Sequence, residues 1–75
     1  MTDVSDDVIA QRIGEKITNL RLERRLTRNE FAKMAGIHYV SLFQWERGKN
    51  IKGIVKFLQF CERIGVPPSE FFTDK

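Results

Sequence analysis

The sequence predicts an all-α chain, and three features predict it. Apolar residues recur at helical spacing, glycines and prolines cut the chain into about five helical pieces, and no strand-like alternation runs beyond a few residues. With 75 residues there is one small domain, and a chain of this size buries only about 60% of the surface it exposes when unfolded. Hydrophobic content of 41% and charged content of 31% make an ordinary globular composition, and the longest apolar run, three residues, excludes a membrane span. Cys61 is alone, which rules out a disulfide framework, and the N-terminus MTDVSDD is acidic where a secretory signal would be basic and then apolar. A reducing, cytoplasmic setting is expected.

The first helix is expected from about Asp6 to Arg25. Ile9, Ile13, Ile17 and Leu20 form one stripe, with Asp6 and Asp7 in the first turn and Arg24 and Arg25 in the last, both in the sense the helix dipole favours. Gly14 weakens it slightly. The second helix opens at Thr27-Arg-Asn-Glu30, a capping box, and ends at Gly36. A third runs from Tyr39 to about Arg47 and stops at Gly48. The fourth covers Ile54 to Ile64, between Gly53 and Gly65-Val-Pro-Pro. Pro68 suits the first turn of a short fifth helix, Ser69 to Phe72.

Charge is unevenly distributed. The net formal charge is +3, yet between Arg12 and Arg63 twelve Lys and Arg face five acids, while Asp3, Asp6, Asp7, Glu70 and Asp74 lie at the ends. A basic middle is what a polyanion-binding domain needs, because neutralising phosphates releases condensed counterions. A solvated basic surface is the plainer alternative.

Residues 28 to 47 have the internal logic of a helix-turn-helix. Ala32 is small where a second helix crosses closely, Gly36 supplies a positive φ, and Phe31, Ala35, Ile37, Leu42 and Trp45 are apolar at inward positions. The run TRNEFAKMAGIHYVSLFQWERGK, followed by helix four and IGVPPSEFF, resembles the Cro/CI (XRE-like) family of helix-turn-helix DNA-binding domains. The resemblance covers about Ile13 to Phe72, leaving 1–12 as an N-terminal extension with the start of helix one and 73–75 as a tail. It implies a compact five-helix, lambda-repressor-like bundle that binds operator DNA as a two-fold dimer and regulates transcription.

On a helical wheel Leu42 and Trp45 mark a core face, and Tyr39, Val40, Phe43 and Gln44 cluster about 160° away. In helix-turn-helix motifs the second helix enters the major groove, so these four are the expected base-reading residues. Gln44 suits adenine, and Val40 and Phe43 suit thymine methyls. The resemblance further implies phosphate contacts by Arg28 at the start of helix two and by Lys49, Asn50 and Lys52 in the loop after helix three. It also implies a structural ion pair between Arg21 and Glu46. Trp45 is expected in the core and Cys61 as a buried thiol. His38 stands where relatives favour a Ser or Thr cap, and Gly53 likewise replaces a cap.

Partners follow from these features. Double-stranded DNA is the first, and a second copy is expected to dock through the helix-five region, where Val66, Phe71 and Phe72 are apolar. The outward face of Tyr39, Val40 and Phe43 is apolar enough to suit a protein partner instead. An enzyme is not expected: one His, one Cys, no clustered carboxylates and no glycine-rich phosphate loop leave no active-site constellation. Neither a cofactor nor a metal is implied.

Overall fold

The computed structural model describes residues 6–51 and 53–71. Four α-helices follow one another, α1 (Asp6–Glu23), α2 (Arg28–Ala35), α3 (Tyr39–Glu46) and α4 (Ile54–Ile64), and a 3-10 turn, Pro68–Phe71, closes the described chain. α1 packs on α3, α2 lies against both α3 and α4, and the 3-10 turn returns to α1. No strand occurs among the described residues, and no helix there is long and apolar enough to cross a membrane.

Caps explain where α2 begins and ends. The Glu30 amide donates to Thr27 Oγ1 at 3.1 Å and the Thr27 amide donates to Glu30 Oε1 at 2.9 Å, so two donors the helix cannot satisfy satisfy each other through side chains. Gly36 then takes a left-handed φ of 72°, and its amide and that of Ile37 return to the carbonyls of Lys33 and Ala32. α3 has the weaker start the sequence suggests, since His38 makes no side-chain capping bond; Gly53 likewise caps α4 without one.

The core draws on every element. Ile13 and Ile17 come from α1, Phe31, Ala32 and Ala35 from α2, Leu42 and Trp45 from α3, Phe57, Phe60, Cys61 and Ile64 from α4, and Phe71 from the 3-10 turn. Five aromatic rings from four elements meet here edge to face: Phe60 meets Phe31 at 5.9 Å and Trp45 at 5.3 Å between centroids, and Phe57 meets Phe71 at 5.1 Å. Such pairs each add about 0.5–1.5 kcal/mol beyond the area they bury. Cys61 is enclosed in this cluster, and burial pushes its thiol up from the ordinary value.

Several expectations are corrected. α1 stops at Glu23, because Arg25 adopts a left-handed φ of 57° and the Leu26 amide returns to the Arg21 carbonyl at 3.2 Å. This turn brings Leu26 onto the core, so Arg24 and Arg25 lie beyond the helix. Ile9 drops out of the apolar stripe at 41% exposure. The fifth helix is absent as an α-helix; a proline pair leaves room for a single 3-10 turn. Phe71 there is buried and Val66 packs partly buried against the core, so neither offers the free apolar surface expected for a dimer contact. Phe72 lies outside the described residues.

Gly14 proves to be a contact position. A Cβ there would lie 2.5 Å from the Trp45 carbonyl oxygen and 2.6 Å from that of Glu46, so α1 and α3 meet backbone to backbone. Helix propensity alone would favour alanine by about 1 kcal/mol, but the obstructing atoms are carbonyls that cannot swing aside. Gly14→Ala is therefore expected to destabilise the fold by about 1–3 kcal/mol in urea denaturation, the range for overpacked sites; a stabilised variant would show that α1 can retreat freely.

Candidate nucleic-acid interface

A single carboxylate organises this side of the molecule. Glu46, in the last turn of α3, is buried, and its two oxygens are held by two arginines. Arg21 Nε from α1 donates to Oε2 at 2.8 Å, and Arg28 Nε at the start of α2 donates to Oε1 at 2.8 Å. Arg21 Nη1 also donates to the Leu26 carbonyl at 3.0 Å, closing the α1–α2 turn. The Arg28 pKa is raised above its ordinary value chiefly by its bond to Glu46, with burial opposing and the Tyr39 oxygen adding to the rise. The pair Arg21–Glu46 is thus part of a triad, with Arg28 as its third member.

Arg28 links the triad to the outward side of α3 through the Phe43 ring. Tyr39 and Val40 are exposed, Phe43 is 37% exposed and Gln44 is half-buried, while Leu42 and Trp45 turn inward. The sequence-predicted readers therefore share one face, but Phe43 and Gln44 are already engaged there, and Tyr39 acts on Arg28. The guanidinium carbons of Arg28 and Arg47 lie 5.2 Å and 5.5 Å from the Phe43 ring centroid. Asn50 Nδ2 donates to Gln44 Oε1 at 3.0 Å. That oxygen keeps acceptor capacity and the Gln44 amide nitrogen keeps its donors, so the side chain is held in place without being used up.

Asn50 does more than the sequence suggests. It adopts a left-handed φ of 59°, which asparagine tolerates better than most residues, and its carbonyl accepts the Trp45 indole N–H at 3.1 Å. This residue ties the loop after α3 both to the core and to the outward face of α3, and its side-chain amide contacts Gln44 rather than projecting alone. Lys49 is exposed in the same loop, and its amide donates to the Gln44 carbonyl at 2.8 Å. Lys52 lies outside the described residues. Sequence reasoning missed Arg47 and its neighbour Phe43 as a pair, although their i, i+4 spacing was a usable signal.

A capped α2, a glycine turn and an α3 whose polar and cationic surroundings face outward define a helix-turn-helix domain. A family model described as Helix-turn-helix matches residues 17–71, and the chain belongs to that family, the Cro/CI type of DNA-binding transcription regulators. Comparison with curated proteins gave no match.

The triad makes a ranked stability prediction. Glu46→Gln leaves two guanidinium groups without their counter-charge and is expected to cost about 3 kcal/mol. Arg21→Gln, from the more enclosed partner, should cost nearly as much. Arg28→Gln, whose side chain is 36% exposed, should cost about 1 kcal/mol, as partly solvated pairs do. Chemical denaturation of the three variants checks the order, and equal losses from both arginines would contradict it.

Proposed function

We propose that this protein binds double-stranded DNA sequence-specifically as a dimer and represses transcription from a pseudo-palindromic operator. The observation that carries this reading is the outward face of α3, where Gln44 is pre-oriented by Asn50 beside the arginine cluster at the start of α2. Tyr39, Val40 and Gln44 are the base-reading residues, with Gln44 bidentate to adenine and Val40 against a thymine methyl. Arg28 and Lys49 contact phosphates, with Lys52 and Asn50 beside them in the same loop; such contacts set register and affinity rather than sequence preference. Occluding a promoter is the simplest mode of control for a domain this size.

A two-fold operator requires a second copy. Ile54, Val55 and Leu58 are exposed along one side of α4, close in sequence to the loop that carries Lys49, and they supply the dimer contact in this reading. The two reading helices would then fall about 34 Å apart, one turn of the duplex. Leu58→Glu alters only an exposed position, so the fold is expected to persist while sedimentation shifts toward monomer. Binding to a two-fold site should weaken, and binding to an isolated half-site should not.

The exposed apolar residues Tyr39 and Val40 favour one other reading, a protein-binding module that uses the same face. Salt dependence separates the two. Selection of random duplex DNA across a salt series should enrich a two-fold motif bound with a steep log–log slope; shallow, motif-free binding would favour a protein partner. With the motif in hand, Gln44→Ala is expected to lose about 1–3 kcal/mol on the selected site and little on random duplex. Equal losses on both would remove Gln44 from base reading.

A further inference from the structure

We infer that Arg47 is a phosphate ligand and Phe43 its positioning residue: the Phe43 ring gathers the guanidinium groups of Arg28 and Arg47 into a pair that grips the DNA backbone, and reads no base itself. This rests on the DNA-binding reading above and reassigns one residue of the expected reading face. The two guanidinium carbons lie 5.2 Å and 5.5 Å from the ring centroid, both inside the range of about 6 Å where an aromatic quadrupole attracts a cation. They arrive from different elements, since Arg28 opens α2 and Arg47 follows α3.

Like charges brought to one ring repel unless something offsets them. Among the described residues the only carboxylate bonded within the cluster is Glu46, and its second oxygen is held by Arg21. Among the described residues Arg47 has no ion-pair partner; Glu15 lines the same shallow depression but is not within pairing distance. Two guanidinium groups thus share one carboxylate and the third has none, a surplus of positive charge beside the outward face of α3. An anion completes such an arrangement, and a phosphodiester suits it. A guanidinium resting on a ring keeps its N–H donors in its own plane, available for forked bonds to phosphate oxygens. The same crowding argues against base reading, because a thymine methyl would compete with two cations for a ring already more enclosed than Tyr39 or Val40.

Equilibrium binding of the full chain to a labelled random-sequence duplex and to the selected site, across a salt series, tests the assignment. Arg47→Gln should flatten the log–log slope by about 0.9, the loss of one phosphate contact. Phe43→Leu should flatten it too, lowering affinity by the same factor on both duplexes, and Phe43→Tyr, which keeps the ring, should restore it. An unchanged slope in Arg47→Gln, with a steep slope in the wild type, overturns this inference and leaves DNA binding standing. A change of base preference in Phe43→Leu at an unchanged slope makes Phe43 a reader and also overturns it. Absence of salt-dependent binding by the wild type overturns both. Arg47 is exposed, so Arg47→Gln decides the matter even where Phe43→Leu is too unstable to assay.

Discussion

Three helices meet on one carboxylate. Glu46 sits at the end of α3, and through its two oxygens it takes Arg21 from α1 and Arg28 from α2. Burying a charged group is costly unless it is paired and hydrogen-bonded, so the carboxylate tolerates few arrangements of its neighbours. The value of such a node lies less in net stability than in uniqueness, since it fixes how far α3 is rotated relative to the two helices that carry it. The aromatic cluster beneath supplies the cohesion.

That division of labour reaches the outward face. Leu42 and Trp45 fasten α3 from inside, Glu46 fixes its end, and Gln44 is steadied by Asn50, whose carbonyl holds the Trp45 indole. A side chain held in one orientation before it meets a ligand loses less freedom on binding, and such preorganisation raises affinity without adding contacts. Core, loop and the outward face of α3 are joined in one connected chain of bonds.

Much of the fold was legible because it was written in local chemistry. The Thr27–Glu30 capping box, the left-handed turn at Gly36 and the limits of α4 between Gly53 and Gly65 all follow from residue types a few positions apart. The end of α1 was not legible, because Arg25 takes a conformation normally signalled by glycine or asparagine, and it does so to bring Leu26 onto the core. Gly14 read as a mild weakness of α1, since nothing local announces that the α3 backbone passes over it. At the site, helical periodicity gathered Tyr39, Val40, Phe43 and Gln44 on one face. It could not foresee that Arg28 would reach both Glu46 and Phe43, because such sharing depends on how α2 and α3 cross.

The Gln44–Asn50 bond has a consequence for descent. A lineage that replaces Gln44 loses the partner of the Asn50 side chain, and Asn50 also anchors the tryptophan through its backbone. Its side chain is free to drift once Gln44 changes, but its left-handed conformation still restricts which residues can follow. Replacing Gln44 is therefore a two-site problem, and homologues that differ at position 44 should carry correlated replacements at position 50, with glycine or asparagine its easiest occupants.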